Sequence, residues 1–409
     1  MTSRTNREDP VALTRGRPLG DVVLEMIWRR REITRAEIAR TTGLARSTVS
    51  EIVNTLLQTG LVREWGDGPS QGGRRPILLR FEDSARTILG VDMGASHVAV
   101  MLTDLRGRIL GWVERPFPVR RDPDGTCALI AELSGGLLDA RPGVREILLG
   151  LGVAVPAPVD QDHPEELSPV VLPEWRGHRG LAVVARELGV PLSVDNDANL
   201  GALAELWWGA GVGLEDFTFV KVATGVGAGH ILRGEIYRGA AGVAGEIGHV
   251  SIDPAGPECI CGNRGCLTTF VGTSALLDRV RQLAMGYPES PLSQGDPDLD
   301  GLVEATLEGD FLARRVVREA ASHLGTAIAG LLNLMNPGAV ILGGSLMRVG
   351  DHLLEPLREA VASRTLTTSV LGSRIGTSEL GDRNVALGAA TLVLARALAS
   401  PELFRRNPP

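Results

Sequence analysis

The pattern of apolar and polar positions changes period near residue 60. A first helix is expected from about Leu19 to Arg31, and Thr34 with Glu37 forms a capping box that should open a short second helix running through Ile38 and Ala39 to Thr41. Gly43 breaks that helix. Beyond Leu44, the residues Val49, Ile52, Val53 and Leu56 fall at i, i+3, i+4 and i+7 of a third helix. Two helices joined by a glycine-containing turn make a helix-turn-helix. The period then shortens: Leu61 to Trp65 and Ile77 to Phe81 predict two strands, separated by the long turn GDGPSQGGRRP with its Arg74 and Arg75. A hairpin with a basic tip behind a helix-turn-helix is a winged helix, expected over residues 18–82, and the aperiodic polar residues 1–17 predict a loose tail.

The third helix turns Arg46, Ser47, Thr48, Ser50, Glu51 and Asn54 away from its apolar stripe. Such side chains suit base edges and phosphates in a major groove, although the same set would serve as an ordinary solvated face. The wing tilts the reading toward DNA, because its tip can lay Arg74 and Arg75 into a minor groove. Charge agrees weakly: residues 1–85 hold 14 Arg against 11 acidic residues, while the rest of the chain is net −10 within a total of −7. Arginine counts need discounting, since Lys221 is the only lysine in 409 residues.

After a boundary near residues 83–85 the pattern becomes that of an α/β body. The segment ILGVDMGASHVAVMLTDLRGRILGWVERPF predicts strand, glycine turn (Asp92 to Ser96), strand, tight turn (Asp104 to Gly107) and strand. FTFVKVATGVGAGHILRGEIYRG repeats that arrangement around a glycine turn at Thr224 to Gly227, which predicts two similar lobes facing across a cleft. Helical stretches at Thr126 to Leu138, Leu181 to Leu188 and Asn199 to Trp208 are interleaved with the strands. Glycine turns of this kind can bring backbone amides to a phosphate, or they can be plain hairpins.

Composition removes several classes. At 44% apolar and 22% charged residues the chain is globular, no run of eighteen apolar residues is present, and the N-terminal residues lack an apolar signal core, so a cytoplasmic protein off the membrane is expected. The strongest chemical signal is GHVSIDPAGPECICGNRGC. It sets His249 near Cys259, Cys261 and Cys266, three of the four cysteines, as donors for a tetrahedral structural zinc with no open position. A redox pair is the competing reading of C-x-C, and the third thiol with the nearby histidine favours zinc. Cys127, alone in an expected helix, reads as a core thiol.

From Ile88 to about Ala397 the chain resembles the ROK family (repressors, open reading frames and sugar kinases), and its head resembles the winged helix of the regulatory members. The resemblance rests on Thr224 to Gly229, GEIGH at Gly245 to His249, the cysteine cluster, DNDAN at Asp195 to Asn199, and NPGAVILGGS at Asn336 to Ser345. It implies an actin-like, ribonuclease H-like duplicated sugar kinase fold over residues 86–400, serving effector binding and dimerisation as a homodimer or dimer of dimers. It also implies a sugar held by Asn196, Asp197, Glu246 and His249, with one ring nitrogen of His249 on zinc and the other toward the sugar. In a kinase member Asp197 would be the general base, with ATP and Mg²⁺ at Asp92, Gly94, Thr224, Gly225, Gly227, Gly343 and Gly344.

Two departures weaken the catalytic side of that resemblance. The kinase turn D-x-G-G-T-K is replaced by Asp92, Met93, Gly94, Ala95, Ser96, His97, and the family's Gly-Cys-Leu-Glu becomes Gly-Cys-Leu-Thr at Thr268. The expectation is therefore a DNA-binding transcriptional regulator, a repressor of carbohydrate metabolism that reads an inverted-repeat operator and answers to a sugar or sugar phosphate. An ATP-dependent sugar kinase carrying a DNA-binding head is the alternative, and a body that only dimerises is a third reading.

Overall fold

The computed structural model describes residues 18–68, 75–164, 166–365 and 373–405. The expected tail, residues 1–17, and Arg74 at the expected wing tip lie outside the described residues. The head opens with α1 (Leu19–Arg30), β1 (Glu32–Thr34), α2 (Arg35–Thr42) and α3 (Arg46–Gln58), followed by β2 (Val62–Asp67) and β3 (Ile77–Phe81). The capping box forms as the sequence suggests: the Glu37 amide donates to the Thr34 hydroxyl at 3.2 Å, and the Thr34 amide donates to the Glu37 carboxylate at 2.8 Å. Gly43 ends α2 at φ 71°, in the left-handed region where a side chain is disfavoured. Val49, Val53 and Leu56 are buried, and Ile52 is half-buried. One strand was not anticipated. β1 pairs antiparallel with β3, giving the wing sheet the order β1-β3-β2; three residues are too few for a period of two to be read.

The body is two sheets of matching design. In the first lobe β4 (Thr87–Met93), β5 (His97–Asp104) and β6 (Ile109–Pro116) form an antiparallel meander; α4 (Pro123–Asp139), β7 (Leu148–Val155), α5 (Gly180–Glu187) and β8 (Leu192–Asn196) follow, giving the order β6-β5-β4-β7-β8. β4 pairs parallel with β7, and β7 with β8. From the end of β8, α6 (Asp197–Trp208) crosses to the second lobe, which opens with the meander β9 (Phe217–Val222), β10 (Val226–Leu232) and β11 (Glu235–Tyr237). After the short α7 (Thr268–Val271) come α8 (Thr273–Leu283), α9 (Leu299–Glu308), α10 (Phe311–Met335), β12 (Ala339–Gly343), α11 (Asp351–Ala362), β13 (Arg374–Thr377) and α12 (Asn384–Ala399). Its sheet order, β11-β10-β9-β12-β13, repeats the first with the same mix of antiparallel and parallel pairs.

Each lobe's sheet is covered by helices on both faces, so β4 and β7 are buried at every position. The covering helices cross between lobes. α6 leaves the first lobe and packs on β9 and β10, whereas α12 returns from the second lobe to pack on β4 and β7. Where the two helices meet, a Cβ at Gly388 would strike the Leu200 carbonyl, so glycine is what permits backbone-to-backbone contact.

The head does not hang on a free linker. One buried cluster joins Val23, Leu24, Ile27 and Trp28 of the head to Leu105, Val393, Leu394 and Phe404 of the body. The Trp28 indole donates to the Leu105 carbonyl at 3.0 Å, and Arg106 donates to the Trp28 carbonyl at 2.8 Å while its guanidinium lies 4.6 Å over the indole. Trp207 and Trp208, the last two residues of α6, stand 5.1 and 6.1 Å from Trp28. Among the described residues no helix is long and apolar enough to cross a membrane.

Candidate functional site

The cleft between the lobes is built around the junction of β8 and α6. Asn196 caps the helix, its side chain accepting from the amides of Ala198 at 2.9 Å and Asn199 at 3.2 Å. Asp195 turns the other way and is buried against Arg238 at 2.6 Å. Asp197 begins the helix, where the carboxylate is favoured by the helix dipole, and takes a proton-bearing partner from the facing lobe: Lys221 on β9 donates to Asp197 Oδ2 at 2.8 Å. Burial pulls the Lys221 ammonium down, but the charges of Asp197 and Asp92 outweigh it and hold the group above the usual lysine value.

Two cavities meet at this lysine. The smaller, about 180 Å³, is lined by Arg120, Asn196, Asp197, Glu246, His249 and Thr268 among others. All four residues expected to hold a sugar are therefore brought together, with Thr268 on the same wall. Burial, reinforced by the charge of Asp197, pushes Glu246 up to about 7. The larger cavity, about 650 Å³, lies on the other side of His97, Lys221 and Thr224 and is lined by Asp92, Gly344, Arg348 and Asn384.

The residues expected at a nucleotide are divided by this geometry. Asp92 and Gly344 line the larger cavity, Gly94, Gly225 and Gly227 face the smaller one, Thr224 borders both, and Gly343 packs against the Phe219 ring. Gly344 sits at φ 96° with no room for a Cβ beside the Val222 carbonyl. At the first turn His97 folds back over Gly94, and its Nε2 lies 3.4 Å from Asp92 Oδ2. Asp92 is buried; burial alone would raise its pKa, but Lys221 and His97 overcome that and lower it.

The metal-donor residues converge. The ligand atoms of His249, Cys259, Cys261 and Cys266 all lie within 4.8 Å of one another, a cluster that could hold a metal ion. Cys259 Sγ stands 3.5 Å from His249 Nδ1, and Cys261 Sγ stands 3.6 Å from Cys266 Sγ. A tetrahedral ion with Zn–S bonds of ~2.3 Å separates its thiolates by ~3.8 Å, so the donor set is already close to ligating geometry. Nε2, the other ring nitrogen, faces Glu246 at 3.9 Å on the side of the smaller cavity. Cys127, by contrast, is buried, and burial first, then Asp124, pushes its thiol up to about 12, as a core cysteine requires.

Comparison with known proteins matches residues 88–396 to the ROK family and residues 23–64 to the IclR helix-turn-helix domain. The chain belongs to the ROK family. A xylose repressor of Caldicellulosiruptor bescii is 31% identical over 385 residues, which is 93% of this chain and 96% of the repressor. A ROK family glucokinase from Streptomyces griseus, solved with glucose and AMPPNP, is 29% identical with a TM-score of 0.67, and covers 75% of this chain and 98% of its own. The structure of a ROK family transcriptional regulator, a homologue of the E. coli MLC protein, superposes over 95% of this chain and 100% of its own with a TM-score of 0.80 at 22% identity, which supports the fold including the head.

In this ROK protein the helix expected to read bases leaves Arg46 and Ser47 exposed, with Thr48 and Ser50 half-buried. The Ser50 hydroxyl is occupied on its own helix, donating to the Arg46 carbonyl at 2.9 Å. Asn54 accepts from Arg35 at 3.4 Å, which ties it to α2. Arg75 is exposed two residues before β3. Sequence reasoning passed over a second basic feature of the wing: the guanidinium groups of Arg63 and Arg80 lie 4.4 and 4.6 Å from the ring of Trp65, which is 48% exposed. It also attached no role to Lys221 or Arg120. The lysine had a signal, being the single lysine of an arginine-using chain three residues before Thr224; Arg120 had none, because the cavity it lines is closed by residues from distant segments.

Proposed function

We propose that this protein is a DNA-binding transcriptional repressor of carbohydrate metabolism, with residues 18–82 reading DNA and residues 86–400 binding a sugar-class effector and dimerising. The observation that carries the reading is the union of a helix-turn-helix with a ROK cleft in one chain. The xylose repressor matches both parts, and the glucokinase matches the body without the head. Asn196, Asp197, Glu246 and His249 hold the sugar hydroxyls, and His249, Cys259, Cys261 and Cys266 hold a structural zinc. The zinc fixes the His249 ring, so that its second nitrogen is aimed at the sugar. Effector control requires the sugar to bind the weaker DNA-binding arrangement better, through a different closure of the two lobes. A role on DNA places the protein in the cytoplasm.

Phosphotransfer is not part of this reading. A general base must be free to take a proton, and Asp197 is engaged by Lys221 at 2.8 Å; Asp92, which would face a magnesium ion, is engaged by His97. In a working kinase Asp92, Thr224 and Gly344 would meet ATP and Mg²⁺, which supply the phosphoryl group and its charge neutralisation.

The test begins with DNA selected from random sequence by the purified full-length protein. An inverted repeat is expected, with half-site centres about 10 base pairs or a multiple apart. Arg74→Ala with Arg75→Ala should flatten the log–log salt dependence of binding by up to about 2 if both neutralise phosphates. Glu246→Ala should abolish the sugar effect on DNA and leave DNA binding in place. Elemental analysis should find one zinc per chain. Turnover with ATP, magnesium and any hexose at roughly 1 to 100 per second would overturn the sensor reading in favour of a kinase.

A further inference from the structure

Among the described residues, the smaller cavity contains a cation with no ion-pair partner on its own walls. Arg120 lines it beside Asn196, Asp197 and Glu246. Among the described residues its guanidinium forms no ion pair or hydrogen bond, and its Nε is buried without a partner. Glu246 shares the cavity but is set toward His249 Nε2 at 3.9 Å and forms no ion pair with Arg120; the other acids that might have served are committed elsewhere. Asp197 is paired with Lys221 at 2.8 Å, Asp122 caps α4 by accepting from the Gly125 amide at 2.8 Å, and Asp124 meets His178 at 2.9 Å. The position is also braced. Val119 is fully buried and its carbonyl accepts from the indole of Trp175 at 2.8 Å, while the Arg121 amide donates to Pro118 at 2.9 Å, so Arg120 is presented from a fixed turn.

An arginine held half-buried with an unused donor fork is matched by a planar or multi-oxygen anion, which it grips through two parallel hydrogen bonds. A neutral hydroxyl would leave the charge unanswered in a partly desolvated site. From this geometry we infer that the effector is an anionic monosaccharide, one bearing a carboxylate or a phosphate, with Arg120 as the residue that selects the anion. The inference rests on the reading of this cavity as the effector site. Asn196, Glu246 and His249 serve the hydroxyls common to all sugars, and Arg120 separates an anionic sugar from its neutral parent.

Binding of glucose, glucose 6-phosphate and glucuronate to the zinc-loaded full-length protein, measured by calorimetry, tests it. One of the two anionic sugars should bind at least about tenfold more tightly than glucose, equivalent to about 1.4 kcal/mol. Which of them does so distinguishes phosphate from carboxylate. The preference should shrink as salt rises, vanish in Arg120→Gln, and survive in part in Arg120→Lys. Should Arg120→Gln fail to fold, the lysine variant and the salt series still decide. Glucose binding as tightly as both anionic sugars, with that binding lost in Glu246→Ala, overturns the anion inference and keeps the effector site. Equal losses for glucose and the anionic sugars in Arg120→Gln overturn it as well. If none of these sugars, nor their xylose or N-acetylglucosamine counterparts, binds the folded protein, the effector-site reading fails and this inference with it.

Discussion

Lys221 and His97 each answer a carboxylate that a sugar kinase would keep for chemistry. Lys221 is nearly buried between Asp197 and Asp92, so its removal strands negative charge in a desolvated cleft. Lys221→Met should cost about 3–5 kcal/mol in denaturant unfolding, and adding Asp197→Asn should recover part of that loss; additive losses would deny the coupling. His97 carries a pH signature. Burial disfavours its charged form, but the hydrogen bond and charge of Asp92 prevail and raise its pKa. A raised folded value means that the pair's stabilisation is complete below the ordinary histidine value of about 6.5 and is lost as pH rises through the folded value. The melting temperature of the native protein relative to His97→Asn should therefore fall across that window, and a constant difference would count against the pair.

At the scale of single elements, local rules account for the head and for the start of α6. The capping box at Thr34 satisfies two amides of α2 and is worth about 1 kcal/mol; Thr34→Ala should lower the head's stability by that amount in hydrogen exchange of α2. α6 is capped by Asn196 in the cleft and ends with Trp207 and Trp208 against Trp28. It is buried along most of its length and carries Glu205, fully buried, whose carboxylate accepts from Asn384 at 2.7 Å and from Ser378 at 2.5 Å. One rigid element thus has one end at the candidate effector cavity and the other at the head.

For the molecule as a whole, the shared core sets how the parts unfold. Because Trp28 and its neighbours belong to the same cluster as α12, head and body should melt in one calorimetric transition. Trp28→Ala removes the central ring, an indole hydrogen bond and a cation–π contact. It should cost about 3–5 kcal/mol and separate a weaker head transition from the body. Two transitions already present in the native protein would show that the head is only loosely attached.

Much of this was legible in the chain. Helix and strand periods, the capping box, Gly43 and the repeated strand-turn-strand units depend on neighbours a few residues apart, and the sequence determined them. The close spacing of Cys259, Cys261 and Cys266 likewise made the metal-donor cluster visible in the chain itself. What only the tertiary structure decided involves partners far apart in the chain. Lys221 meets Asp197 across the cleft, Arg120 is placed beside His249, and Trp28 finds Trp207 and Trp208. Likewise, the division of the glycine turns between two cavities appears only after two lobes have closed on each other. Periodicity records which face of an element is buried. It carries no record of which distant element buries it, and in this protein that second fact determines which charges are answered and which one is left for a ligand.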